Sequence, residues 1–218
     1  MGWTYLAAAL CGCACVDGSP RPLELKAADG SAPDLTWLAS LEDPAVVGEL
    51  QALADRDLAA LDSEGATAES FVANFGPNSD LTLHPGDWTA LVLQNKGRLD
   101  PAGCAAAPLT CAALSHLAHY LTPHRGEEVG VRLLKLGVNA TIRPHVGPGG
   151  RLVAHLGVRV PPTGAFLTVA GERVTWREGE LTVFDDSLPH SAANNGEHAR
   201  YILHVAFPIP SPAAAVLS

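Results

Sequence analysis

The chain has 218 residues, 47% of them apolar and 17% charged, which is enough for one compact domain plus a terminal appendage and too short for two full domains. A formal net charge of −9 excludes a general nucleic-acid or anionic-membrane surface, because such surfaces are basic and clustered. The 21 glycines and 17 prolines are spread along the chain and suit short strands joined by many turns better than a helical bundle.

Trp3 to Val16 is an unbroken, weakly apolar run of 14 residues, shorter than the ~20 that a bilayer helix needs. Small residues Gly12, Ala14 and Cys15 precede the polar Asp17-Gly18-Ser19-Pro20. Residues 1–16 therefore have the outline of a secretory signal or a short anchor, although no Lys or Arg precedes them, and no firm membrane span follows. A signal would place the protein in the secretory pathway, in the endoplasmic reticulum lumen or outside the cell. Three of the five cysteines lie in this segment, leaving Cys104 and Cys111 as an even pair. These two either bridge across Ala107-Pro108 in an oxidising compartment or pack as buried thiols.

Residues 17–33 read as a linker rich in Pro, Gly, Ser, Ala and Asp, and residues 34–74 as the helical start of the domain. Asp43-Pro44 has the form of an N-cap followed by proline at the first helical position, and Val46, Val47, Leu50, Leu53, Leu58 and Leu61 follow a helical stripe. Asp87 to Leu93 reads as a strand. A second helix starts near Pro108 and uses Ala113, Leu114, Leu117 and Leu121 before Pro123 ends it.

From Val129 the period changes to two. Arg151, Val153, His155, Gly157 and Arg159 share one strand face, and Leu152, Ala154, Leu156, Val158 and Val160 the other. Strands are expected at Ala165–Ala170, Arg173–Trp176, Glu180–Phe184 and Ala199–Phe207, separated by Gly- and Pro-containing turns. Many short antiparallel strands at this spacing predict a sandwich or jelly roll over residues 75–210, with 211–218 a loose tail.

Within that frame, Arg143-Pro144-His145-Val146-Gly147-Pro148, Asp185-Asp186-Ser187-Leu188-Pro189-His190 and Arg200 carry the chemistry. Two histidines 45 residues apart, with an arginine ten residues after the second, are the parts needed to hold a divalent iron and a dicarboxylate co-substrate. Oxygen activation is the reaction this implies. Ferrous sites of this kind commonly use two His and one carboxylate, but the position two after His145 is Gly147, which cannot ligate. Asp185 and Asp186 stand near His190 and are the candidates to supply the missing carboxylate, but adjacent strand residues point to opposite faces, and they read more readily as caps of backbone amides or as acceptors orienting His190. Arg200, Ile202, His204 and Ala206 share a strand face, so Arg200 can project inward as a fork for a carboxylate. His84, His116, His119, His124, His198 and His204 have no usable partner spacing and read as surface or core histidines.

Gly86-Asp87-Trp88-Thr89, Gly97-Arg98, Cys104 to Cys111, Pro144-His145-Val146-Gly147-Pro148, Arg151-Leu152, His155-Leu156-Gly157, Trp176-Arg177-Glu178-Gly179 and Phe184-Asp185-Asp186-Ser187, with His190 and Arg200, resemble the catalytic domain of the aspartyl/asparaginyl β-hydroxylase family. The likeness runs in order from about residue 75 to 210. It implies a mainly β fold with flanking helices, the double-stranded β-helix or cupin-like jelly roll. It also implies an iron(II)- and 2-oxoglutarate-dependent dioxygenase that uses O2 to hydroxylate the β-carbon of Asp or Asn in EGF-like domains.

On that pattern His145 and His190 fall on the iron ligands, His155 and Arg200 on 2-oxoglutarate-holding positions, and Arg151 on the substrate side. Gly147 falls on the family's own glycine, and Cys104 and Cys111 on a family disulfide. Two departures stand out: Val153 replaces a substrate-contacting arginine of the animal enzymes, and Leu134 falls near a serine that touches 2-oxoglutarate. The acceptor is thereby left open among EGF-like domains, another protein or peptide, and a small molecule. Two other functions compete: a related halogenase, and a non-catalytic cupin-like module that binds metal or ligand.

Overall fold

The structure, a computed structural model, describes residues 43–74, 80–83, 87–116, 130–147 and 151–208. The expected leader, linker and tail lie outside the described residues, as do His84, His119 and His124. Helix α1 (Pro44–Ser63) begins as expected, with the Asp43 side chain accepting from the Ala45 N–H at 2.9 Å and Pro44 in the first turn. A short helix α2 (Thr67–Ser70) follows.

All paired strands run antiparallel and form two sheets. The large sheet has the order β1 (Val72–Ala73), β2 (Trp88–Asn95), β4 (Gly130–Leu136), β11 (Arg200–Pro208), β6 (Arg151–Arg159), β9 (Leu181–Asp185), with β3 (Arg98–Leu99) paired to β2. The small sheet has the order β5 (Ala140–His145), β10 (His190–Asn194), β7 (Ala165–Val169), β8 (Glu172–Thr175). From β4 onward the chain crosses back and forth between the two sheets, interrupted by the β7–β8 hairpin within the small sheet, which is the jelly-roll arrangement.

Period-two alternation gives the large sheet two different faces. Leu91, Leu93, Leu133, Leu156 and Leu203 pack outward beneath Val47, Ala54, Leu58 and Leu61 of α1. Trp88, Leu136, Ile142, Leu167, Phe184 and Ile202 pack between the two sheets. Fully buried Asn194 fastens the sheets together: its amide N–H groups donate to the carbonyls of Leu136, Gly137 and His198, and its Oδ1 accepts from Gly196 N–H.

Arg159 departs from the expected face. Tyr201 pairs with Arg159 but Ile202 pairs with Gly157, so Val158 is an extra residue in β6. Such a bulge resets the alternation. The Arg159 guanidinium therefore turns to α1, donating to Asp55 and Asp62, rather than to the inner face shared by Arg151, Val153 and His155.

The sequence also conceals helix α3 (Pro101–Ala106), which precedes the expected helix α4 (Pro108–His116). Asp100 caps α3 by accepting from Gly103 N–H at 2.8 Å, and a Cβ at Gly103 would lie 1.7 Å from the Val92 carbonyl oxygen. Only glycine lets α3 approach β2 so closely. A disulfide joins Cys104 of α3 to Cys111 of α4, with Cα atoms 5.5 Å apart, which resolves the two readings of this pair.

The first turn of α4 is completed from α1. Pro108 has no N–H, and buried Asp57 accepts from Leu109 N–H at 3.2 Å, Thr110 N–H at 2.7 Å and the Thr110 hydroxyl at 2.7 Å. Replacing Asp57 by Ala leaves three donors without their acceptor, two of them on fully buried Thr110. The variant should lose about 3 kcal/mol of unfolding free energy by urea titration. A loss under ~0.5 kcal/mol, the level of an ordinary surface substitution, would show that the carboxylate is not what closes this turn.

Candidate active site

The antiparallel register of β5 and β10 makes His145 and His190 cross-strand partners. Residues far apart in the sequence thus become neighbours, with ring centroids 4.2 Å apart. The Nδ1 of His145 lies 2.9 Å from the Arg143 carbonyl, and the Nδ1 of His190 lies 2.8 Å from the Leu188 carbonyl. A carbonyl only accepts, so each Nδ1 carries a proton, and the nitrogen left to ligate is Nε2 on each ring. Burial lowers the pKa of His190, and the neighbouring His145 and Arg151 add to this against the opposing Leu188 carbonyl and Asp186. Neutral imidazole is the form that a ferrous ion takes as a ligand.

Asp185 and Asp186 divide as their alternation predicts. Asp185 caps the following turn, accepting from the Ser187 N–H and hydroxyl. Asp186 is 4% exposed, accepts from Arg151 Nε at 2.6 Å, and has Oδ1 3.7 Å from His190 Nε2. Its carboxylate therefore stands beside the nitrogen that His190 offers to the site, while the acceptor that orients the ring is the Leu188 carbonyl. Among the described residues, no group of three or more His, Cys, Asp and Glu is arranged to hold a metal.

Gly147 fits this geometry closely. A Cβ there would lie 1.7 Å from Asp186 Oδ2 and 2.2 Å from its Cγ, so the carboxylate occupies the space that a side chain at 147 would need. Gly147→Ala must displace Asp186 from Arg151 and should destabilise the protein by about 1–3 kcal/mol. Asp186→Ala removes the colliding group, so the double variant should be at least ~0.5 kcal/mol more stable than the two single changes predict by addition. Strict additivity in chemical denaturation would disprove the steric coupling.

Arg200 opens β11 and projects inward with Ile202 and His204, as its strand face predicts. It is 1% exposed, its guanidinium lies 4.5 Å from the Trp176 ring centroid, and its Nε and Nη2 have no hydrogen-bond partner among the described residues. Burial pulls its pKa down to about 9. A buried guanidinium facing an aromatic ring and no carboxylate is a costly arrangement that an anionic ligand relieves. His155 sits on β6 between Trp176 and Phe184, also with an unpartnered buried Nδ1. The donor set thus fits a carboxylate at one end of the space and a metal at the His145–His190 end.

His145, Arg151, His155, His190 and Arg200 all line one cavity of about 390 Å3 between the sheets. Three further lining residues escaped the sequence reading. Trp176 faces Arg200, Arg132 enters from β4, and His204, expected to be a passive core or surface residue, has Nδ1 3.0 Å from His155 Nε2. Strand alternation already put His204 on the face of Arg200 and was the available signal. His198 is exposed, as expected. Leu134 lines the cavity, while Val153 is buried in the inner core.

Residues 44–210 match the model of the family described as aspartyl/asparaginyl beta-hydroxylase. The chain is 33% identical over 132 residues to the mouse (Mus musculus) aspartyl/asparaginyl beta-hydroxylase and 32% identical over 132 residues to the human (Homo sapiens) protein of that name. Each alignment covers 60% of this chain and 17% of the relative, so the chain matches a small part of those proteins' length. Among solved structures it is similar to a prolyl-4-hydroxylase of Pseudomonas putida, at 18% identity and a TM-score of 0.48, covering 73% of this chain and 85% of the other. With its family model matched from the first turn of α1 to just beyond β11, the chain belongs to the aspartyl/asparaginyl beta-hydroxylase family.

Proposed function

We propose that this chain is an iron(II)- and 2-oxoglutarate-dependent dioxygenase that hydroxylates the β-carbon of Asp or Asn residues in a protein or peptide. The observation that carries the reading is the pairing, in one cavity, of two adjacent imidazoles with a buried guanidinium that lacks an acidic partner among the described residues. When bound, iron(II) supplies the reaction of O2 with 2-oxoglutarate, which yields succinate and CO2 and transfers one oxygen atom to an acceptor C–H bond. His145 and His190 would hold the ion, each with Nε2 as the nitrogen left free to ligate. Arg200 takes the distal carboxylate of 2-oxoglutarate, with His155 beside it. The Trp176 ring and the apolar inner core keep water from the guanidinium and so strengthen that pairing.

Arg151 lines the acceptor side while paired to Asp186. Among the described lining residues Asp186 is the one carboxylate, set beside Arg151 with Arg200 in the same cavity, a balance that suits an acidic acceptor. EGF-like domains are one such acceptor class. The Cys104–Cys111 disulfide and the leader-like start of the sequence support a site in the secretory pathway. Among the described residues, no helix is long and apolar enough to cross a membrane.

Incubation of the purified chain with iron(II), labelled 2-oxoglutarate and a library of Asp- and Asn-containing peptides, EGF-like sequences included, tests the proposal. Acceptor-dependent CO2 release with a one-oxygen mass gain on Asp or Asn is the expected result. A halogenated product, or binding of iron and 2-oxoglutarate with no turnover, would overturn it in favour of the halogenase or the non-catalytic module.

A further inference from the structure

The inner face of the large sheet carries a polar row: Arg132, His204 and His155 are register neighbours across β4, β11 and β6. Within it, His204 Nδ1 and His155 Nε2 are 3.0 Å apart, a hydrogen-bond distance that requires one proton between two ring nitrogens. Either ring can supply it, and the two choices give His155 opposite tautomers. If His155 donates, its Nδ1 is a bare lone pair. If His204 donates, His155 must carry its own proton on Nδ1.

The surroundings of His155 decide between them. Among the described residues its Nδ1 is buried without a partner, and so are Arg200 Nε and Nη2. The groups packed on the His155 ring are Trp176 and Phe184, whose ring faces offer no ordinary acceptor. A carboxylate bound at Arg200 only accepts hydrogen bonds. His155 and Arg200 both flank Trp176 in the same cavity, so a dicarboxylate there can also satisfy His155 Nδ1 only if that atom is an N–H, and in the neutral ring Nε2 is then the acceptor. We propose that His204 is a positioning residue: by donating from Nδ1 to His155 Nε2 it fixes the Nδ1–H tautomer of His155 and so makes that ring a donor to the bound dicarboxylate.

The alternative of a doubly protonated His155 is closed off by the same environment. Burial first, then the repulsion that protonating His155 beside His204, Arg200 and His190 would meet, holds its pKa well below the ordinary value. Burial, with Arg132, Arg151, Arg200 and His190, pulls that of His204 to about 3. Both rings are neutral, so the proton facing the ligand has to be placed by tautomer choice.

The inference rests on the 2-oxoglutarate reading above, and the experiment separates the two. Protein with ring-15N histidine, loaded with zinc in place of iron and saturated with 2-oxoglutarate, is observed by NMR, with the His155 signals identified by their loss in His155→Asn. A protonated Nδ1 and an unprotonated Nε2 on His155 are expected. His204→Leu should lose that signature and weaken 2-oxoglutarate binding by at least ~10-fold in calorimetry, with the fall in kcat/KM carried by KM. His204→Asn, whose amide N–H can occupy the place of Nδ1–H, should restore most of both. An unprotonated Nδ1 in a protein that binds 2-oxoglutarate normally overturns the role of His204 and leaves the dioxygenase reading intact. Absence of 2-oxoglutarate binding in the unaltered protein overturns both.

Discussion

His145→Ala or His190→Ala should each cost the protein more than ~100-fold in iron affinity, beyond the 10–100-fold usual for removing an outer partner of a metal ligand. The basis is that the cavity offers two imidazoles whose Nδ1 protons are committed to the Arg143 and Leu188 carbonyls, and Gly147 offers nothing. With one ring gone a single protein ligand remains. Asp185→Asn should leave iron content unchanged, because that carboxylate is spent on the Ser187 turn. Asp186→Asn keeps the shape and one acceptor beside Arg151 and should retain most of the metal. Iron content by elemental analysis, with circular dichroism to confirm folding, decides the matter. If either Asp variant lost iron as completely as a His variant, the two-ligand assignment would be wrong.

Arg200→Ala should raise the KM for 2-oxoglutarate by at least ~30-fold, since leaving a desolvated carboxylate without its charge partner costs about 2–5 kcal/mol and each ~1.4 kcal/mol is tenfold. Iron content should stay near that of the unaltered protein. Arg200→Lys should recover only part of the loss, because an ammonium cannot make the planar two-bond fork. The same residue predicts an opposite effect on stability. In the ligand-free protein the guanidinium is buried without an acidic partner, so Arg200→Leu should raise the unfolding free energy by roughly 1 kcal/mol or more. Greater stability with lost co-substrate dependence is the combined signature. A variant that kept its 2-oxoglutarate dependence would remove Arg200 from the site.

The sequence made the strand faces legible and the cross-strand partners much less so. Alternation along Arg200–Ala206 and Arg151–Gly157 correctly separated the cavity side from the helix side, because both strands are regular there. It failed at Arg159, where the extra residue Val158 shifts the count by one. His145 and His190 were picked out by residue type and family likeness; that they are register partners depends on strand pairing, which spacing does not report. His204 was placed on the right face and still read as passive, because its partner His155 lies on another strand. Asp57 shows the complementary limit: a charge within an apolar helical stripe looks like a surface residue until the start of α4 is seen against it. Helix α3 was missed because six residues with a central glycine give no measurable period.

The two faces of the large sheet also bear on how this protein can change over generations. Because the α1 side carries an apolar cluster of its own, the polar, partly hollow inner face can lose or gain side chains while the outer cluster maintains folding. A change at Leu134, which lines the cavity, can then alter what the cavity recognises while the outer cluster still holds the sheet against α1. Such partitioning separates the residues that hold the sheet to its helix from those that shape the cavity.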